Sequence, residues 1–278
     1  MGFINLSEDG SGYLKERQKD IIRDLLKEIV IRGTDASGVA IWHGDEQEKS
    51  EENNSSTTSN STDVSMLKAN ITSWELAQHK VLDNMLKRPV KMLIGHSRAG
   101  TSGREQLNIN NHPFVTRSRE VFLVHNGVIS REGEREVKDL LLGECDTEVL
   151  IRSIEKHGIK EGFTKAAGWR QASYAVLMMY PSIGKMFFLR RSNPMYWWWS
   201  RRKDIEGIYI ASTEHILKSA IPEATPREVN DDMLYSIKEN QTWLTMEKNY
   251  KAVTKRYGGN YVYYTSPYKQ KTKIYQGV

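Results

Sequence analysis

Gly95-His96-Ser97-Arg98-Ala99-Gly100-Thr101-Ser102-Gly103 decides how the chain is read. Residues 90–96 have the apolar composition of a buried strand, and the glycines and hydroxyls around Arg98 turn it into a loop. An arginine just past a buried strand can grip a carboxylate through two parallel hydrogen bonds, with the Thr101 hydroxyl as a further donor. Standing alone, it would be an ordinary surface ion-pair partner. It does not stand alone. Arg32-Gly33-Thr34-Asp35-Ala36-Ser37-Gly38 precedes it at a helix-to-strand turn, Asn111-His112-Pro113 closes its loop, and Val124-His125-Asn126-Gly127-Val128-Ile129 and Asp146-Thr147-Glu148 follow.

Each flanking segment has a bland reading and a chemical one. Asn126-Gly127 after a strand is most often a hairpin turn, because both residues accept positive φ. Its chemical reading is an oxyanion hole, with the Asn126 side-chain amide and the Gly127 N–H aimed at a developing negative oxygen. Asp146 opens a helix, where aspartate is ordinarily an N-cap; chemically, its carboxylate suits an amino acid's ammonium. A carboxylate binder, an ammonium binder and a hole for an amide-derived oxyanion together describe a site for glutamine.

Outward from these segments, helices and strands alternate in a definite order. Residues 2–6 read as a first strand and residues 7–11 as a turn. Leu14, Ile21, Ile22, Leu25, Leu26 and Ile29 recur at helical spacing, which predicts an amphipathic helix over residues 13–31. Residues 39–42 resume as a strand. The polar tract 44–65 reads as a disordered surface excursion. A second helix is expected over residues 66–86, a glycine- and asparagine-rich loop over 97–113, a strand over 121–124, and helices over 131–142 and 147–157. Strands then dominate at 173–180, 185–190, 195–199 and 207–211, with a short helix at 213–220 and further strands within 233–264. This order suggests two sheets enclosed by helices.

With 278 residues, 38% of them hydrophobic, the chain can bury a substantial core. The net charge of +5 is a mild bias. Its most suggestive local form is Trp197-Trp198-Trp199 beside Arg201, Arg202 and Lys203, where rings could stack on bases. An aromatic sheet edge followed by a charged turn is the preferred reading, and nucleic acid is set aside. Cys145 is the single cysteine, so no intrachain disulfide and no multi-cysteine zinc site can form. No apolar run approaches the roughly 20 residues that span a bilayer, and a cytoplasmic protein is expected. No metal and no cofactor enters this reading.

The four segments, in this order and spacing, resemble the glutaminase domain of type-2 glutamine amidotransferases, a family of N-terminal-nucleophile hydrolases. The likeness covers residues 1–220, with residues 190–194 and Ala211-Ser212-Thr213-Glu214 similar to later parts of that domain; residues 221–278 form a strand-rich C-terminal extension. The resemblance implies an α+β fold, the four-layer αββα sandwich. It implies that Arg98 and Thr101, with Ser102 in the same loop, hold the carboxylate side of glutamine, that Asp146 holds the amino group, and that Asn126 and Gly127 form the oxyanion hole. Arg32 would support the N-terminal residue, and residues 99–105 would be a lid, in which Ala99 and Ser102 depart from the residues most often seen.

In this family the nucleophile is an N-terminal cysteine whose own amine is the base. Here Met1 occupies that place, and a thioether has no proton to lose. Cys145 is internal and lacks a free amine. Two readings follow: an amidotransferase that hydrolyses glutamine and passes ammonia to a separate synthase partner, provided an N-terminal cysteine is present, or a non-catalytic relative that binds glutamine or a protein partner.

Overall fold

A computed structural model describes residues 1–6, 11–45, 62–100, 102–129, 131–169, 173–239, 241, 244–250 and 271–272. In chain order the elements are β1 (Gly2–Asn5), α1 (Glu16–Glu28), β2 (Ala36–Asp45), β3 (Thr62–Ala69), α2 (Ser73–Ala77), α3 (Lys80–Leu86), β4 (Met92–Arg98), β5 (Phe114–Val115), β6 (Phe122–Val128), α4 (Glu134–Val137), α5 (Asp146–His157) and α6 (Ile159–Gly168). There follow β7 (Ser173–Tyr180), β8 (Lys185–Arg191), β9 (Tyr196–Ser200), β10 (Gly207–Ala211), α7 (Glu214–Ala220), β11 (Arg227–Glu228), β12 (Met233–Lys238), β13 (Leu244–Asn249) and β14 (Lys271–Thr272).

These strands make two antiparallel sheets, in the orders β11-β9-β10-β1-β4-β2-β3 and β14-β13-β12-β8-β7-β6-β5. Alternation along each strand sorts its residues between two cores. In the first sheet, Phe3, Val39, Ile41, Leu93 and Tyr209 face α1, α2, α3 and α7, while Ile4, Ala40, Met92, Ile94 and Ile208 face the second sheet. In the second sheet, Phe122, Val124, Leu177 and Phe188 meet them, and Leu123, Val176, Met178 and Leu189 turn outward onto α5 and α6. The result is the four-layer αββα sandwich.

Local chemistry explains the helices. The apolar stripe of α1 buries Ile21, Ile22, Leu25 and Leu26 completely, and Gln18 accepts from the Lys15 N–H at 2.7 Å to cap its start. At α2, Thr72 Oγ1 accepts from Glu75 N–H while Glu75 Oε2 accepts from Thr72 N–H, a reciprocal cap.

Several expectations need correction. Of the tract 44–65, the flanks Gly44, Asp45 and residues 62–65 pair across the β2–β3 hairpin; residues 46–61 lie outside the described residues. Residues 66–86 are not one helix, because Met66 and Leu67 pair with Ala40 and Val39 in β3, and the helical remainder breaks into α2 and α3. Residues 131–142 hold only short helical turns around α4, since Val137 alone gives α4 a buried side chain. The sequence reading missed α6, where Gly162 lies against α5: a Cβ there would come within 2.7 Å of Ile154 Cα. Asn126-Gly127 is not a hairpin turn but the continuation of β6, paired with Ala175 and Tyr174. The expected turn at 7–11 and residues 251–264 of the expected strands fall largely outside the described residues.

The turn between α1 and β2 is seated on the end of β4. Ser97 Oγ donates to Gly33 O at 2.6 Å and Asp35 N–H to Arg98 O at 3.0 Å. A Cβ on Gly33 would lie 2.1 Å from Ala99 N. Gly33→Ala must therefore push two backbones apart, at about 2–4 kcal/mol. A drop of about 5–10 °C in Tm is expected, whereas Gly168→Ala, whose Cβ would meet nothing within 4 Å, should leave Tm unchanged or slightly raised. Equal melting of the two variants would show that the Gly33 seat is not constrained.

Candidate functional site

The strand alternation that builds the inter-sheet core runs out at one end of the sandwich and leaves a cleft there. On β4, Met92 and Ile94 point between the sheets, and His96 and Arg98 continue the same parity; on β6, Phe122 and Val124 do so, followed by Asn126. The cleft, about 230 Å³, is lined by Arg32, Arg98, Asn126, Gly127 and Asp146 together with buried histidines. Four of the sequence segments thus converge.

Arg98 is almost fully buried. Its Nη1 donates to Asn111 Oδ1 at 3.1 Å, and its Nη2 donates to Ser102 O and, at 2.8 Å, to Gly103 O. The guanidinium therefore braces the following loop with part of its donor set, and of its five N–H groups two are left for another acceptor. Thr101 lies outside the described residues. Ser102 Oγ accepts from Asp146 N–H at 3.2 Å, so its hydroxyl tethers the loop to the start of α5. Asp146 Oδ2 accepts from Ile129 N–H at 2.8 Å, which links α5 to the end of β6.

Five buried side-chain nitrogens of residues lining the cleft lack partners among the described residues: Arg32 Nε, Asn126 Nδ2 and the ring nitrogens His96 Nδ1, His112 Nδ1 and His125 Nε2. Asn126 Nδ2 and Arg32 Nε are donors. The Asn126 carbonyl oxygen is held by Asn193 Nδ2 at 2.8 Å, which fixes the backbone from which the free amide projects. Gly127 adopts φ +140°, and a Cβ there would sit 2.1 Å from Ser173 O. Only glycine fits. Buried donors without partners are rare and disfavoured in a native fold, so a pair of them beside a cleft marks a place for an acceptor.

Met1 is not brought to this cleft. Residue 1 shares the parity of Phe3, and its thioether joins the helix-facing core: a Cβ on Gly95 would meet Met1 Sδ at 3.0 Å and Leu26 Cδ2 at 3.2 Å. Its amine donates to Gly95 O at 2.7 Å, and burial lowers it to about 5. Residue 1 instead borders a smaller cavity of about 40 Å³, which shares His96, His125 and Asn126 with the cleft.

The sequence reading assigned no role to the histidines. His96 and His112 lie with ring centroids 3.9 Å apart, and His112 meets Phe114 edge-on at 5.0 Å. Thr147 Oγ1 joins His112 Nε2 at 3.1 Å and His125 Nδ1 at 2.9 Å. Burial pushes His96 down to about 3 and His112 well below the usual range; it also lowers His125, against the pull of the Asp146 charge. All three are neutral at pH 7. A signal existed, since each histidine sits inside one of the quoted segments, but a single histidine in a sequence carries no such meaning.

Beneath the site, Glu148 accepts from Leu142 N–H at 3.0 Å and Gly143 N–H at 2.7 Å and pairs with Arg152 at 3.1 Å, both ionised side chains being buried. Cys145 lines the cleft, but burial and the Asp146 charge raise its thiol, which opposes the thiolate a nucleophile needs. Lys68, lowered to about 8 by burial, donates to Asn111 O at 3.0 Å and steadies the segment before Pro113.

A larger cavity of about 570 Å³ lies elsewhere, around Glu155, His157 and Lys160. Glu155 is engaged by Arg117 N–H and Arg152, and Lys160 by Glu247. Arg201 pairs with Glu206, and Arg202 with Asp204 and Glu223. Among the described residues no group of three metal-ligating side chains is assembled, and no helix is long and apolar enough to cross a membrane.

No family model matches the chain. A glutamine-fructose-6-phosphate aminotransferase (isomerizing) of Helicobacter pylori is 26% identical over 231 residues, which cover 79% of this chain and 34% of that protein. The enzyme of the same name from Sulfolobus acidocaldarius is 27% identical over 206 residues, covering 70% and 30%. The chain therefore spans about a third of the length of these curated relatives. Among solved structures, the glutamine phosphoribosylpyrophosphate amidotransferase of B. subtilis shares the fold with a TM-score of 0.61 at 20% identity, over 85% of this chain and 46% of that one. The chain is thus similar in sequence to the glutamine-fructose-6-phosphate aminotransferases and shares the fold of the glutamine phosphoribosylpyrophosphate amidotransferase.

Proposed function

We propose that the cleft binds glutamine as a free amino acid, and that the chain with methionine at position 1 does so without hydrolysing it. The observation that carries this reading is the convergence of Arg98, Asp146 and the unpartnered Asn126 amide on one cleft. Arg98 takes the α-carboxylate with its remaining donors and Asp146 takes the α-ammonium. Asn126 and Gly127 face the side-chain amide, and Ser102 belongs to the loop that Arg98 braces; on this proposal Thr101 serves the carboxylate side. Arg32 lines the same cleft.

Turnover needs an attacking group, and among the described residues lining the cleft none is in place. The Met1 thioether is packed against Leu26 in a core, and the Cys145 thiol is held protonated. A second reading, the hydrolytic one, is favoured by a single observation: the amine of residue 1 is neutral at pH 7, as a base must be. In that reading a cysteine at position 1 releases ammonia to an acceptor on a separate synthase partner, the part played within the relatives by the two thirds of their length that this chain does not span.

Calorimetry with L-glutamine tests the binding. Hydrogen bonds to charged groups are each worth about 1.5–3 kcal/mol, so Arg98→Lys and Asp146→Asn should each weaken binding by about 10- to 100-fold. Binding of L-glutamine that neither substitution weakens would place the ligand elsewhere.

A glutaminase assay separates the two readings. The chain as given should release no ammonia, whereas Met1→Cys, exposed at the N-terminus by a cleavable leader, should release it if the cleft retains the rest of the machinery. Silence from the cysteine form would end the hydrolytic reading.

The neutral histidines set a pH window. Their folded pKa values lie below the unfolded value of about 6.5, so the unfolded chain takes up protons that the folded chain refuses. Their contribution to stability is present above pH 6.5 and is lost as pH falls from about 6.5 towards 3, by up to about 1.4 kcal/mol per pH unit for each histidine. His96→Gln should lower stability at pH 7 yet reduce the loss between pH 7 and pH 5, read from denaturant midpoints. An unchanged slope would show that His96 is not held neutral.

A further inference from the structure

Two loops beside the cleft are locked into one outer surface by a buried side chain. Asn110 is fully buried; its Nδ2 donates to Arg104 O at 3.1 Å and its Oδ1 accepts from Glu144 N–H at 2.8 Å. Glycines let the loops close on it: a Cβ on Gly103 would come within 2.7 Å of Asn110 Cγ, and one on Gly143 within 2.5 Å of Asn110 Oδ1. Asn111 Nδ2 adds a bond to Glu105 O at 2.7 Å. The surface so formed presents Leu107, Ile109 and Leu142, which are 48%, 41% and 60% exposed. The Cβ on Gly143 would lie 3.4 Å from Ile109 Cγ2, which makes Ile109 and Leu142 neighbours. Single exposed apolar side chains are ordinary, but three on one preformed patch mark a surface that meets another.

Charge says what that other surface is. Arg104 and Glu144 stand at opposite ends of the Asn110 amide, both exposed, and neither side chain makes an ion pair among the described residues. One unpaired cation and one unpaired anion about an apolar centre form a self-complementary pattern. A two-fold axis through that centre sets Arg104 of each copy against Glu144 of the other. An anionic membrane would be repelled at Glu144, and a strongly acidic or basic protein at one of the two charges. We propose that the chain self-associates through Leu107, Ile109 and Leu142 as a two-fold dimer, with an Arg104–Glu144 ion pair on each side. The patch is small, which makes the dimer a weak one, while its preformed loops keep the cost of ordering low. The dimer covers part of the loop that Arg98 braces, and it stands independently of what the cleft binds.

Sedimentation velocity on the full chain, from about 5 µM to about 500 µM, tests this over the range that a small interface requires. The mean sedimentation coefficient should rise with concentration from the monomer value towards that of a dimer. Leu142→Asp should weaken association by at least about tenfold. Arg104→Glu or Glu144→Arg alone sets like charges together twice per dimer and should weaken it about 5- to 30-fold. The two reversals in one chain should bring it back to within about threefold of the parent. Tyr13→Asp alters another exposed ring, at the far end of β4 from the cleft, and should change nothing. All these positions are exposed, and a melting curve of each variant confirms that it is folded. A chain that stays monomeric over the whole range would overturn the proposal. So would a dimer indifferent to Leu142→Asp, or a double reversal that fails to restore association.

Discussion

Face-to-face packing of two sheets constrains everything at this site. Met92 and Ile94 of β4 must meet Phe122 and Val124 of β6 to bury their apolar surface, and a strand repeats every second residue. Once those four are fixed, Arg98 and Asn126 have no choice of side. They are the polar continuation of two apolar stripes, placed where the core ends and solvent begins. Sliding either strand by one residue would send the apolar stripe outward and Arg98 or Asn126 into the helical layers.

The same parity places residue 1 in the helix-facing core. Residue 1 precedes Phe3 by two positions and so faces α1, where a methionine is a useful hydrophobe with Leu26 and Ile29 around it. Around the cleft, Ser102, Asp146, Ile129 and the Glu148–Arg152 pair tie loops to the first turn of α5, so the polar groups are held by a network that is almost fully satisfied. Against that background the unpartnered Asn126 and Arg32 donors, with the free ring nitrogens of His96, His112 and His125, stand out.

Much of this was legible in the sequence, for physical reasons. Elements with one clear period, such as α1, β7, β8, β10 and α7, match their expected positions closely. Residues 66–69 misled because Met, Leu, Lys and Ala are good helix formers, and pairing with β2 overrode that preference. The second helix of the α5–α6 pair was hidden by Gly162, which exists to let two helices approach. For the site, the ordered polar segments pointed to Arg98, Asn126 and Asp146, while the histidine bed was invisible because its meaning lies in the 3.9 Å contact between residues 96 and 112, far apart in the chain.

A crystal structure of the chain grown with L-glutamine would test the central claim most directly. The account predicts the amino acid in the cleft, its α-carboxylate on the Arg98 guanidinium, its ammonium on Asp146 and its side chain directed at Asn126 and Gly127, with the Met1 sulfur still packed on Leu26. An amino acid bound on another surface, or one in the cleft with its α-carboxylate turned away from Arg98, would contradict it.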